Sequence, residues 1–263
     1  MRAWIENAGI AGPGLPGWDT ARAVLASESA YPGGDLVLPK LDLLPAVERR
    51  RTGALVKLAL AAGQDALAHK AGGIAFLPSV FASSGGDGEV INEICITLAG
   101  NDRQVSPTRF HNSVHNAPAG YWSIATGSRA PSTSLSAFDW SFAAGLVEAA
   151  TQVVTGYDCV LLITADVPYP QPLLGVRKVK LPFGSALLLA ANRTEHSLGA
   201  VDITIAGRSA QTRMPEPLLE QLREDNPSAR GLPLFAALAA RKATTVVLDY
   251  VGEKSLVVEV SPC

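Results

Sequence analysis

The sequence predicts an α/β fold in which a mixed sheet is covered by helices on both faces, and three observations carry that expectation. Residues 132–136 are rich in small and β-branched residues and follow a proline, as a short strand would. Residues 139–154 place Phe142, Leu146, Ala149 and Val153 at helical spacing behind a capping-type residue, Asp139. Residues 159–165 form an apolar run, Thr164 apart, as expected of a strand buried on both faces. Strand, helix and buried strand make one βαβ unit, which belongs to a sheet containing parallel strands. The turn at 137–139 lies where α/β enzymes place a nucleophile.

Composition bounds the rest. The 263 residues are 48% hydrophobic and 17% charged, enough apolar content for one large core or two modest ones. A net charge of -2 gives no basic field, and the tight cluster Arg49-Arg50-Arg51 with nearby Lys57 reads as the solvated start of a helix, so no nucleic-acid partner is expected. Cys95, Cys159 and Cys263 are far apart and form no C-x-x-C pair, which points to buried thiols in a reducing compartment. The N-terminus has no signal-type stretch, and no run approaches the roughly 18 apolar residues of a membrane span. A soluble, cytoplasmic protein without a membrane span is the expectation.

In chain order, residues 4–10 predict the first strand. Gly12, Gly14 and Gly17 that follow have the spacing G-x-G-x-x-G, but Pro13 and Pro16 remove backbone donors that a phosphate would need, which leaves a turn. Residues 27–45 are loop. Residues 48–70 predict one long helix with Leu55, Leu58, Ala59, Ala62 and Ala66 on one side, ended by Gly72 and Gly73. Residues 74–81 predict a strand, then a Ser/Gly-rich turn at 83–88 without the lysine of a nucleotide-binding loop. A helix to Leu98 follows, with Ile91, Ile94, Cys95 and Leu98 facing inward.

If 107–125 is helical, His111 and His115 share a face, which is the geometry of metal ligands. Val114 stands where a zinc-binding H-E-x-x-H helix has glutamate, so contacts within the core or an interface are the better account, and acid/base work beside the turn stays open. Residues 167–172 are a proline-rich connector, and 181–191 and 200–205 predict two further strands. Beyond them come a polar stretch at 211–229 with one short helix, a helix at 232–241, and a hairpin of 244–250 with 255–260.

The turn also carries a family likeness. Ser136-Ala137-Phe138-Asp139-Trp140 resembles the nucleophile segment of β-ketoacyl synthases, where a Thr-Ala-Cys-Ser-Ser turn enters a helix of small residues. Residues 116–127 resemble the family's Asn-x-x-Ala-Gly-x-x-Ala helix before that turn, and 184–190 resemble its Gly-Ala-Ala-Leu-Val-Leu strand after it. The likeness covers about residues 50–206 in the family's order and points to the β-ketoacyl synthase-like N-terminal domain group of chain-length-factor type. It implies a thiolase-like fold: one N-terminal-type half at 1–207, with a C-terminal extension of short helices and a small β-hairpin at 208–263 packed on the same domain.

Claisen condensation in this family needs a cysteine for the acyl chain, a histidine pair (or His and Asn) on the malonyl carbonyl, and an oxyanion hole. The resemblance puts Phe138 at the cysteine position, and the second half that would supply the histidines is missing. The implied function is a condensation-incompetent subunit, a chain-length-factor-like partner of an active ketosynthase in fatty-acid or polyene (polyketide-type) biosynthesis. Its expected partners are that β-ketoacyl synthase and an acyl carrier protein, in a homodimer or heterodimer. A stand-alone acyl-thioester hydrolase or acyltransferase using His111 or His115 with a serine is the alternative, and an acyl-carrier or acyl-CoA binding protein is a third. Candidate catalytic residues are His111, His115, Ser136 and Asp139, the last also expected as a helix cap. Asn116, Phe138 and Trp140 are candidates for substrate or partner binding, with no cofactor and no metal expected.

Overall fold

A computed structural model describes residues 1–70 and 72–263. Its centre is an eight-stranded mixed sheet in the order β3-β2-β4-β5-β1-β6-β8-β7. The strands are β1 (Arg2–Ala11), β2 (Ser79–Ala82), β3 (Ser132–Leu135), β4 (Cys159–Asp166), β5 (Phe183–Ala190), β6 (Gly199–Gly207), β7 (Thr244–Tyr250) and β8 (Lys254–Pro262). β2 runs parallel to both β3 and β4, and every other pairing is antiparallel. The helices are α1 (Trp18–Leu25), α2 (Ala46–Arg51), α3 (Ala54–Ala66), α4 (Gly88–Ala99), α5 (Pro107–Asn112), α6 (Ala117–Thr126), α7 (Ser141–Thr155), α8 (Leu173–Val176), α9 (Pro217–Asp225) and α10 (Leu232–Ala240).

β4 and β5 are apolar along nearly their whole length because both faces are covered. One layer packs Trp18 of α1, Phe142 and Leu146 of α7, and Phe235 and Leu238 of α10 against Val160, Leu162, Leu187 and Val201. The other layer packs α3 and α6, through Leu55, Leu58, Tyr121 and Trp122, against Leu161, Ile163 and Leu188. The mixed sheet with two helical covers is as expected. The terminal hairpin continues the sheet, because β8 pairs with β6 along its length, and Leu256, Val258 and Val260 join the α7 layer.

Several local expectations are corrected. The long helix at 48–70 is two helices, α2 and α3. Thr52 is extended, with its hydroxyl turned back onto the Arg49 carbonyl at 3.0 Å. A Cβ on the following Gly53 would sit 2.6 Å from Asp87 Oδ2, so a tertiary contact fixes the break. Helix α3 stops at Ala66, short of Gly72 and Gly73. The strand expected at 74–81 is confined to Ser79–Ala82 after a 3₁₀ turn at Ile74–Phe76, with Pro78 withholding an amide donor just before it.

The inward-facing α4 is also overturned. Ile91 and Leu98 are 42% and 48% exposed, Ile94 is half-buried and Cys95 is exposed, because α4 docks on α5 rather than on the sheet. The thiols are likewise not buried: Cys263 lies at the exposed chain end and Cys159, at the first position of β4, is half-buried. Finally, 107–125 is not one helix. α5 ends at Asn112, and α6 begins at Ala117 with Pro118 in its first turn, where proline is well accommodated.

Candidate functional site at the strand-to-helix elbow

The three parallel strands end together. Ala82 of β2 pairs with Leu135 of β3, and β4 closes alongside on Asp166. Carboxyl ends of parallel strands are where open α/β sheets place their sites. Three segments leave here: the Ser/Gly turn at 83–87, the elbow at 136–140, and the connector after Asp166.

At the elbow, Phe138 adopts φ 55, a left-handed conformation that side chains other than glycine rarely take. A 3₁₀ turn over Phe138–Trp140 leads into α7, and that turn is closed by the helix's first residue, Ser141. Its hydroxyl donates to the Phe138 carbonyl at 2.8 Å and accepts the Ala137 amide N–H at 3.0 Å. Asp139, expected to cap the helix, makes no capping bond. Its carboxylate turns to Arg177, 2.7 Å away, and approaches Arg230 at 3.8 Å. Two guanidiniums hold the carboxylate away from the helix N–H groups, and Ser141 braces the turn before α7 without capping the helix.

Arg177 joins the segments. Its guanidinium lies 3.7 Å from the centre of the Phe138 ring, a cation–π contact, and Nη2 donates to Ser84 Oγ at 2.6 Å. Phe138 is nonetheless 52% exposed, so its ring has one face on Arg177 and the other open. Ser136 donates to the Ser84 carbonyl at 2.7 Å. Trp140 donates from Nε1 to Asp249 of β7 at 2.9 Å, which ties the elbow to the terminal hairpin.

Asp166 lies underneath, 1% exposed. Oδ1 accepts the Ser83 hydroxyl at 3.0 Å and the Ser84 amide at 2.7 Å, while Oδ2 accepts the Ser228 hydroxyl at 2.7 Å. Burial pushes its pKa up to about 6 against the pull of those donors. Asn226, fully buried, donates to the carbonyls of Asp166 and Leu181 at 2.9 and 2.6 Å and so fixes the end of β4.

The sequence candidates are therefore only partly brought together. Phe138, Asp139, Trp140 and Ser136 share the elbow. His115 reaches the neighbouring turn, where Nε2 meets the Ser83 carbonyl at 3.2 Å. His111 lies edge-on to Tyr121, with ring centres 5.7 Å apart, away from His115's contact. Asn116 is exposed at the start of α6 and its side chain caps nothing. Neither histidine contacts a serine hydroxyl, so the arrangement holds no serine–histidine nucleophile pair among the described residues. No cluster of three or more His, Cys, Asp or Glu side chains suited to a metal occurs among them either. Sequence reasoning missed Arg177, Ser84 and Arg230. The one available signal was Asp166, a lone carboxylate closing an apolar strand.

Among described residues no helix is long and apolar enough to cross a membrane. Curated protein sequences offer no match. Solved structures match along nearly the full chain. A ketosynthase (ApeO) in complex with its chain length factor (ApeC) from Xenorhabdus doucetiae aligns at TM-score 0.76 and 22% identity, covering 98% of this chain and 99% of the other. The ishigamide ketosynthase/chain length factor aligns at TM-score 0.74 and 14% identity, covering 100% and 99%. A type II polyketide synthase acyl-carrier protein in complex with its ketosynthase (AntDE:AntF) aligns at TM-score 0.75 and 12% identity, again covering 100% and 99%. These likenesses establish the thiolase-like fold. The sequence pattern of the β-ketoacyl synthase N-terminal domain matches residues 18–248, most of the sheet and the whole elbow, and the chain belongs to that family.

Proposed function

We propose that this protein is a condensation-incompetent ketosynthase-like subunit that pairs with an active β-ketoacyl synthase and shapes its acyl pocket, as a chain length factor does. The observation that carries the reading is Phe138. A benzyl side chain has no nucleophilic atom, and here it stands at the elbow with Arg177 stacked on it and Asp139 and Ser84 anchoring Arg177. A thioester has no attacking group at that point, where the ring takes the place of a nucleophile. Support for the partner comes from the similar structures, which are described as ketosynthases with chain length factors and with an acyl-carrier protein.

The surface supports association. β3 is the outermost strand, with β2 alone beside it. Elsewhere on the surface, α4 exposes Ile91, Ile96 and Leu98 and the adjoining α5 exposes Phe110, a concentration of apolar side chains uncommon on a lone soluble domain. A specific dimer here buries on the order of 1,600 Å² in total. Homodimerisation in isolation and heterodimerisation with a ketosynthase are alternatives in this reading, with the acyl carrier protein meeting the pair.

The test is reconstitution. Purified alone with acyl- and malonyl-carrier substrates, the protein yields no β-ketoacyl product, and Phe138→Cys gains an alkylatable thiol without gaining condensation. With its ketosynthase it forms a complex whose product length changes when Phe138 is replaced. Product from the chain alone would overturn the reading, as would a monodisperse monomer by light scattering that does not bind the ketosynthase.

A further inference from the structure

Asp166 is a titratable group at a position where a neutral one would serve the fold. It closes β4 almost wholly buried, and its two oxygens take three donors: the Ser83 hydroxyl and the Ser84 amide on Oδ1, the Ser228 hydroxyl on Oδ2. The guanidinium that acts on it electrostatically, Arg177, is ion-paired with Asp139 instead, at 2.7 Å. Beside it, the buried Asn226 fixes the same strand end with a neutral amide. An asparagine at 166 would accept the Ser84 amide through its own carbonyl at a lower desolvation cost. Holding the strand end therefore does not account for a carboxylate here.

What the carboxylate holds is Ser84, and Ser84 uses all of its polar groups. Its amide donates to Asp166 at 2.7 Å, its carbonyl accepts the Ser136 hydroxyl at 2.7 Å, and its Oγ accepts Arg177 Nη2 at 2.6 Å. The first of the two outward arms ends just before Ala137, where the elbow begins. The second places the Arg177 guanidinium 3.7 Å from the centre of the Phe138 ring. A protonated Asp166 must turn one oxygen into a donor. The Ser83 and Ser228 hydroxyls can reverse to accept it, but a backbone amide only donates. The Ser84 amide is then left on a neutral acceptor, and a bond to a neutral acceptor is roughly half as strong as one to a carboxylate.

We propose that Asp166 is the positioning residue for the Phe138 ring: its carboxylate, through the Ser84 amide and hydroxyl, holds Arg177 against the ring, and protonation loosens that hold. Burial places the change near pH 6, with the arm tight above it and slack below. Charged and titratable groups around Asp166 come from three segments. Arg177 and Tyr169 lie on the connector, and burial pushes the Tyr169 hydroxyl further up, so neither changes charge near pH 6. His115 meets the Ser83 carbonyl from the start of α6. Arg230 shares the 3₁₀ turn Pro227–Gly231 with Ser228 and faces Asp139. The consequence for an acyl pocket rests on the subunit reading above; the linkage itself belongs to this chain alone.

The experiment is fluorine NMR of the full chain, without any ketosynthase, carrying fluorophenylalanine at its 7 phenylalanine positions. Phe138→Leu assigns the 138 resonance, and circular dichroism confirms the fold across the titration. The expected result is a 138 resonance that shifts with one midpoint near pH 6. In Asp166→Asn the shift is lost, and Asp166→Glu restores a titration. Ser84→Ala keeps the amide bond to Asp166 but removes the hydroxyl that holds Arg177, so the 138 shift shrinks to a minor fraction although Asp166 still titrates. His115→Gln leaves the shift in place, which excludes the imidazole as its source. A 138 resonance that does not move with pH overturns the proposal, as does an undiminished shift in Asp166→Asn or its loss in His115→Gln. Should Asp166→Asn fail to fold, Ser84→Ala carries the test, and a full-sized shift in it overturns the assignment. Failure to pair with a ketosynthase changes none of these readouts, so it counts against the subunit reading and not against this one.

Discussion

At Phe138 two local effects oppose each other. The left-handed backbone at φ 55 costs about 1–2 kcal/mol for a residue with a Cβ. The Arg177 contact at 3.7 Å returns about 0.5–2 kcal/mol. The two nearly cancel, so Phe138→Gly leaves stability within about 1 kcal/mol of the parent, whereas Arg177→Ala also unpairs Asp139 and costs more, on the order of 2 kcal/mol. Urea denaturation of both variants checks the order; a larger loss for Phe138→Gly would mean the ring itself supports the elbow. Asp166 gives a pH prediction. Its folded pKa, about 6, lies above the unfolded value near 3.9, so the native state favours the protonated form. The resulting stabilisation is complete below about pH 4 and is lost as pH rises through about 6. At about 1.4 kcal/mol per pKa unit the change is on the order of 3 kcal/mol, and Asp166→Asn removes it. If parent and Asp166→Asn lose stability in parallel between pH 4.5 and 7.5, Asp166 is not the group responsible.

At the scale of elements, glycine placement separates packed helix faces from open ones. Gly145 of α7 faces the sheet, and a Cβ there would lie 2.8 Å from Leu162 Cδ1 and 3.0 Å from the Ala82 Cβ. Gly120 of α6 has nothing within 4 Å of its Cβ position. Alanine raises helix propensity by up to about 1 kcal/mol at either site. Overpacking at Gly145 costs about 1–3 kcal/mol and outweighs that gain. Gly145→Ala therefore lowers Tm and loosens the elbow helix on β2 and β4, while Gly120→Ala raises Tm. Calorimetry on the pair decides it, and equal shifts would mean α7 is less tightly seated than these distances require.

For the whole molecule, the question is whether the extension stands apart from the ketosynthase-like half. Leu232, Phe235, Leu238, Leu256 and Val258 of the extension share one buried layer with Phe142, Leu146 and Leu187. The Phe142 and Phe235 rings are 6.0 Å apart. β6 depends on β8 for its second edge. We propose that 208–263 is an extension of one folding unit, so a chain ended after Gly207 shows no cooperative thermal transition and aggregates through β6 and the uncovered α7. A sharp, reversible melt of residues 1–207 by circular dichroism would show instead that the extension is dispensable.

The sequence by itself determined the parts of this protein whose cause is local or repetitive. Strands buried on both faces must be almost wholly apolar, so β4 and β5 were legible as apolar runs interrupted chiefly by Thr164 and Ser185, whose hydroxyls bond each other. A helix pressed on a sheet must repeat at its own period, so Phe142, Leu146, Ala149 and Val153 marked α7. The elbow between strand and helix, and Phe138 at its tip, followed from the order of those segments. Tertiary structure decided the rest. Apolar spacing in α4 shows that a face exists and not what covers it, and here the face was left to solvent. The break at Thr52 and Gly53 answers to Asp87, 34 positions beyond Gly53. Asp139 looked like a cap because capping is a neighbour's interaction, but Arg177 and Arg230 reach it across the fold with full charges. Charge pairs between distant segments leave no periodic trace along a chain, and only the folded chain brings their partners within a few ångströms.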